Sequence, residues 1–210
     1  MTFHRLLGLL LGLGLGLPLP ARADLPGRFD YYVLALSWSP QYCAGPGARG
    51  DPQCARPYGF VVHGLWPQHE RGWPEDCGKG EWLSERLIER MLAIMPSRKL
   101  VLHEWRKHGV CSGLGAEAYF AATEQAYRSL RIPARYQSPR DWLRLAPKEI
   151  EADFRAANPA LRPEGLALEC SGNYFRELRV CLDKSLAPRA CGADLRDRCG
   201  AQTTLRPSRQ

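Results

Sequence analysis

The chain has 210 residues, with 29 Lys and Arg against 22 Asp and Glu for a formal net charge of +7, and 45% of its residues are hydrophobic. That length suits one domain with a substantial core, and no segment beyond the first residues is apolar enough to span a bilayer, which excludes a chain that crosses the membrane repeatedly. The basic balance favours polyanionic partners but is as readily a solvated surface, so by itself it decides little.

Residues 1–23 read as a signal peptide. Arg5 precedes an apolar run from Leu6 to Leu19, and Ala21-Arg22-Ala23 supplies the small-x-small pattern for cleavage before Asp24. A membrane anchor is the weaker alternative, because the run falls short of the ~20 residues a spanning helix needs and is broken by Gly8, Gly12, Gly14 and Gly16. No twin-Arg pair precedes it, so a Sec-type route to a periplasmic or secreted product is expected, with residues 24–210 as the mature domain.

The mature part mixes strand and helix signals. Phe29 to Trp38 is rich in aromatic and aliphatic residues and predicts a buried strand; a Gly, Pro and Arg-rich loop follows from Cys43 to Pro57. Tyr58 to Val62 predicts a second strand, stopped by Gly64 and Pro67. Glu81 to Met95 places Trp82, Leu83, Leu87, Ile88, Met91, Leu92 and Met95 at helical spacing. Ala116 to Leu130 repeats that pattern, and Pro147 to Ala157 is a third helix with proline in its first turn. Phe175, Leu178, Val180 and Leu182 mark a last strand. Without a βαβ rhythm, the order points to an α+β fold, a single domain with a central antiparallel sheet flanked by helices.

Eight cysteines, at 43, 54, 77, 111, 170, 181, 191 and 199, all follow the predicted cleavage point, and an even number in an exported chain implies four disulfides. A structural zinc site is the alternative, but the chain has no C-x-x-C pair. Spacing alone leaves the connectivity open.

Reactive side chains crowd two segments: Phe60-Val-Val-His-Gly-Leu-Trp-Pro-Gln68 and Leu102-His-Glu-Trp-Arg-Lys-His-Gly-Val-Cys111. On a helical wheel with His103 at zero, Lys107 falls near ~40°, Glu104 near ~100° and His108 near ~140°, so the four share a face. Glu104, one turn before His108, is expected to favour its imidazolium form, and Gly109 is placed where a helix commonly ends. A solvated, salt-bridged helix gives the same pattern. The start of the segment also looks like the H-E-x-x-H of zinc proteases. Its second histidine is one residue too far, and Lys107 on the same face would repel a dication.

Together the two segments resemble the active-site motifs of the ribonuclease T2 family, F-x-V-H-G-L-W-P at Phe60 to Pro67 and H-E-W-x-K-H-G-x-C at His103 to Cys111. The resemblance extends more loosely to Phe29–Cys43 and Leu168–Cys181. It implies a metal-independent endoribonuclease with no cofactor, acting on RNA as a monomer and leaving DNA uncut. His63 and His108 would be its acid and base, with His103 binding phosphate and Glu104 and Lys107 stabilising charge at phosphorus. The chemistry agrees: transesterification of RNA needs a base for the 2′-hydroxyl proton and an acid for the departing 5′-oxygen, and histidine serves as either. Trp66 is as open to core packing as to stacking on a base, and Gln68 would touch the base edge. Trp105 is expected to pack behind the helix, and His69 is assigned no role by either motif. The family pattern also implies the pairs Cys77–Cys111, Cys170–Cys199, Cys181–Cys191 and Cys43–Cys54. Two rivals are a metal-dependent phosphodiesterase, for which ligand clusters are lacking, and a non-catalytic relative, in which a motif histidine would be missing.

Overall fold

The computed structural model describes residues 24–208, so the signal peptide assigned to residues 1–23 lies outside the described residues. A six-stranded sheet organises the domain. Its centre is β1 (Tyr31–Trp38), a run of aromatic and aliphatic residues buried on both faces. The strand pairs antiparallel with β2 (Phe60–Gln68) on one side and with β5 (Tyr174–Leu182) on the other. β5 also pairs antiparallel with β4 (Leu166–Ser171) through a tight turn in which Gly172 takes φ 56°, a left-handed conformation that favours glycine. Short β3 (Leu143–Leu145) and β6 (Thr203–Leu205) extend the sheet, and β6 reaches β5 by one parallel pairing, Tyr174 with Thr204. The helices are α1 (Ser39–Cys43), α2 (Glu85–Met91), α3 (Arg98–Glu104), α4 (Ala116–Ser129) and α5 (Pro147–Ala157). Among the described residues no helix is long and apolar enough to cross a membrane.

The two faces of the sheet differ. On one, Leu34, Leu36 and Trp38 of β1 join Phe60 and Val62 of β2, Leu178 and Val180 of β5, Phe120 of α4 and Phe154 of α5 in the main core. Phe60 packs edge-on against Trp38, Phe154 and Phe175, with centroids 5.0, 5.6 and 5.8 Å apart. Truncating such a side chain to Ala typically costs ~3–5 kcal/mol. The other face carries a small cluster of Tyr31, Val33 and Cys181, with Trp66, Cys191 and Leu195 against it. Most of the candidate site lies on this second face.

Two departures from regular strand geometry shape that face. Ala35 pairs with Gly64 while Leu36 pairs with Val62, so His63 is an extra residue in β2, a β-bulge at its own position. Glu169 pairs with Glu177 while Cys170 pairs with Phe175, so Arg176 is an extra residue in β5. That second bulge explains why Phe175 and Leu178, three apart, both face the main core.

Several boundaries differ from the sequence expectation. β2 runs on through Gly64 and Pro67 to Gln68. It is an edge strand, and its outward-facing positions bond to other elements: Val62 N–H donates to Ile94 O and Tyr119 Oη–H donates to Leu65 O. Pro67 shares that outward alternation, where a missing N–H breaks no ladder bond. The predicted helix Glu81–Met95 forms only over Glu85–Met91, because Ser84 Oγ accepts the Leu87 N–H at 3.2 Å and caps it there. Trp82, counted in that helical pattern, precedes the cap and is 93% exposed. Gly109 does not end its helix: α3 passes into a π-helical turn, Trp105–Gly109, then a 3-10 turn, Val110–Ser112, and stops at left-handed Gly113.

Four disulfides join Cys43 to Cys54, Cys77 to Cys111, Cys170 to Cys199 and Cys181 to Cys191, the pairing the family resemblance implies. The second ties the 3-10 turn that follows the His108 turn to the loop after β2.

Candidate active site

His63 enters the site from the β2 bulge and His108 from the π-helical turn. Between them lies Trp66, whose ring stands edge-on to His63 at 5.0 Å and stacks on His108 at 5.2 Å. Glu104, 1% exposed, faces all three. Its Oε2 accepts the Trp66 Nε1–H at 2.7 Å, its Oε1 lies 3.6 Å from His63 Nε2, and its Oε2 lies 4.0 Å from His108 Nε2. Oε1 has no hydrogen-bond partner among the described residues. Gly64 makes this approach possible, since a Cβ there would overlap the Glu104 carboxyl and Trp66 Nε1.

A second carboxylate, from the far side of β1, completes the surroundings of His63. Glu177 Oε2 lies 2.6 Å from His63 Nδ1, and Glu177 Oε1 accepts from Arg179 Nε at 2.8 Å. Arg179 in turn donates to Glu169 Oε1 at 2.8 Å and places its guanidinium 5.3 Å from the Trp66 ring centre. Ala35, the register partner of both Gly64 and Arg179, has only a methyl group, so side chains of β2 and β5 can meet above it.

These contacts push the titrating groups apart. Burial opposes charging His63, but the Glu177 hydrogen bond and the charges of Glu177 and Glu104 outweigh it and hold the imidazolium above its ordinary range. His108 moves the other way, to about 3, through burial and the nearby cations of His63, Lys107 and His103. This reverses the expectation that Glu104 would favour a charged His108: the carboxyl is turned toward Trp66 and His63 instead. Burial raises Glu104 to about 7, against the opposing pull of His63 and Trp66. Glu177 is also buried, yet His63 and Arg179 bring it below the usual carboxylate value.

The remaining expected residues lie around this centre. His103 and Lys107 are exposed on the same helical stretch, and Lys107 Nζ pairs with Glu75 Oε1 at 3.0 Å. Gln68 is half-buried at the end of β2, its Nε2 donating to Pro67 O at 2.9 Å. Trp66 already has His63, His108 and Arg179 around its ring, contacts of the packing kind. Trp105 is buried, as expected, and donates to Glu81 O at 2.8 Å. His69 Nδ1 lies 3.7 Å from Asp30. Among the described residues no group of three or more His, Cys, Asp or Glu is placed to hold a metal ion. Sequence reasoning missed Glu177 and Arg179. Their only local signal was polarity at alternate positions of a strand whose intervening residues, Leu178 and Val180, are apolar.

Comparison with known proteins places this geometry in a group. A model of the ribonuclease T2 family matches residues 29–191. A ribonuclease of Aeromonas hydrophila is 37% identical over 185 residues, covering 85% of this chain and 83% of that protein. Among solved structures, trichomaglin, an S-like ribonuclease, superposes with TM-score 0.70 at 22% identity over 87% of this chain and all of its own. RNase NT in complex with 5′-AMP does so with TM-score 0.64 at 24% identity, over 85% of this chain and 98% of its own. Those two share the fold.

Proposed function

The chain belongs to the ribonuclease T2 family and is an endoribonuclease; from that premise we propose that it cuts single-stranded RNA by a metal-independent, two-histidine transesterification. The observation that supports this most is the placing of two imidazoles in a single site, on either side of the Trp66 ring and both facing the Glu104 carboxyl, with their titration displaced in opposite directions. Neutral His108 takes the proton of the 2′-hydroxyl. The 2′-oxygen attacks phosphorus, the bond to the 5′-oxygen breaks, and His63 Nε2 delivers a proton to that oxygen. Glu177 on Nδ1 fixes the ring so that Nε2 faces the site.

Glu104, with a carboxyl near 7, retains a proton on part of the molecules at neutral pH and donates it as a hydrogen bond to a phosphoryl oxygen from its unpartnered Oε1. His103 and Lys107 hold the phosphate, Trp66 forms the wall between the histidines, and Gln68 touches the base. The first product is a 2′,3′-cyclic phosphate, which water opens to a 3′-phosphate with the histidines exchanging roles. DNA lacks the attacking hydroxyl and stays intact. The enzyme works as a monomer in the periplasm or outside the cell.

The test is complete digestion, with a chelator present, of an RNA carrying one 2′-methoxy sugar, followed by mass analysis. Cyclic and 3′-phosphate ends everywhere except after the blocked sugar are expected. Cleavage at that sugar, or 5′-phosphate ends, overturns the mechanism.

A further inference from the structure

We infer that Trp142, Tyr174 and Arg206 form a second base-binding subsite, which engages the RNA strand away from the scissile phosphate. The inference rests on the ribonuclease reading and extends it along the substrate. Trp142 and Tyr174 are 51% and 37% exposed, and their ring centroids are 6.2 Å apart. Large aromatic side chains exposed side by side carry a hydration cost with no packing return unless something covers them. Beside both lies a cation: the Arg206 guanidinium is 5.1 Å from the Trp142 ring centre and 4.5 Å from that of Tyr174. The arginine is held in place, because its Nε donates to Gln41 Oε1 at 2.7 Å and its backbone carbonyl accepts the Trp38 indole N–H at 3.0 Å.

The position favours substrate over an unrelated partner. Tyr174 lies on β5 three residues before Glu177, and the bulge at Arg176 puts both on the same face of the sheet, opposite Phe175 and Leu178. At ~3.3 Å per strand residue, the aromatic pair is on the order of 10 Å from the carboxylate that holds His63, within the span of a short single strand. Charge agrees. Arg206 and Arg56 line a cleft of about 120 Å³ beside Trp142, and Arg144 and Arg176 are exposed on the neighbouring strands. Asp141 is the one acidic residue in the segments 139–145 and 203–208, which contribute Trp142 and Arg206 to the patch. Exposed rings flanked by arginines are the combination that binds unpaired bases without demanding a sequence, the rings stacking on a base and the guanidinium groups meeting phosphates.

Two measurements test this on the mature enzyme. The first is the Kd, by fluorescence anisotropy, of a fully 2′-methoxy RNA dodecamer, which binds without being cut. The second is turnover of a nucleoside 2′,3′-cyclic phosphate, too small to reach the patch. In the variant W142A/Y174A the dodecamer Kd should rise by about tenfold or more, in keeping with the loss of base stacking. Cyclic phosphate turnover should stay at the wild-type rate, and Trp142→Phe with Tyr174 intact should restore most of the affinity. A double variant that binds the dodecamer as tightly as wild type overturns the subsite and leaves the rings to a protein partner. Failure of the wild-type enzyme to open the cyclic phosphate overturns the ribonuclease mechanism instead.

Discussion

His63 Nδ1 and Glu177 Oε2 stand 2.6 Å apart although the strands that carry them are not neighbours; β1 runs between them. The bond spans β1 because the bulge lifts His63 out of the β2 ladder and because Ala35, on the strand between, has almost no side chain. It fixes one ring nitrogen and leaves the other for chemistry, so Glu177 should govern when His63 is charged.

The pH profile of kcat/KM should report this directly. On the proposed roles, His108, depressed to about 3, stays unprotonated across the useful range, and His63, raised above its ordinary value, would set the alkaline limb. Glu177→Gln removes both the charge and the best acceptor for Nδ1–H, so that limb should move about one pH unit or more toward acid. An unmoved limb in the variant would separate Glu177 from the acid.

Replacing either histidine with phenylalanine should lower kcat/KM by ~10²–10⁴ or more, since each removes a proton-transfer partner. Circular dichroism should show the fold retained in His63→Phe, because Arg179 still pairs with Glu177, while Tm should fall through loss of the His63–Glu177 bond. His69→Ala should leave turnover intact, its nearest carboxylate being Asp30. Comparable losses in all three variants would mean that the site has been misplaced.

Stability should depend on pH through Glu104. Its folded value near 7 lies above the ordinary carboxylate range, so the unfolded chain releases that proton first as pH rises. The contribution therefore falls between about pH 4.5 and 7 and is flat above. His63, raised, adds stability below the ordinary imidazole range and loses it at higher pH, whereas Glu177, lowered, adds stability that vanishes in acid. Glu104→Gln removes the first of these, so relative to wild type its Tm should be higher at pH 8 than at pH 5. Parallel Tm curves for the two proteins would contradict a buried carboxyl of raised pKa.

Removing the Cys77–Cys111 crosslink by a double alanine substitution should cost ~4 kcal/mol in urea unfolding, given the chain segment it closes. Activity should fall further than the fraction unfolded explains, because Cys111 follows the turn that aims His108. A chelator should have no effect on the unmodified enzyme. Wild-type kcat in a folded double variant would show that the crosslink serves stability alone.

Much of the fold and the site is legible in the sequence, and the exceptions have physical causes. His63, Trp66, Glu104 and His108 lie in two short segments that the resemblance to the family motifs singles out together, although the second alone reads equally as a solvated helix. The chain order of strands and helices follows from the spacing of apolar residues in β1, α4, α5 and β5. Glu177 is not legible, since its partner is 114 residues away and their meeting depends on sheet register. In the sequence it is one polar residue of an alternating strand. A helical wheel misleads about His108 because it places Glu104 beside that ring, while burial and the direction of the carboxyl, which decide its charge, are tertiary. Trp82 shows the same limit: its spacing fits the α2 pattern, but the Ser84 cap starts the helix after it.

Both histidines ride on irregular backbone. The β2 bulge gives the strand one residue more than its partner at His63, and the π-helical turn closes Val110 N–H on Trp105 O, five residues back, instead of four. Chain length at these two points is therefore as constrained as residue identity. Deleting His63 would merge the bulge into a regular ladder, with Gly64 still opposite Ala35 and Val62 still opposite Leu36, so the core register would survive while the lifted position that aims the imidazole is lost. Deleting a residue within Trp105–Gly109 would rotate everything after it by ~100°, carrying Cys111 away from Cys77. A single-residue deletion scan should find RNA cleavage lost at both short stretches, with folding lost as well only within Trp105–Gly109, while exposed loops such as the one around Gly47 and Gly50 absorb the same deletion.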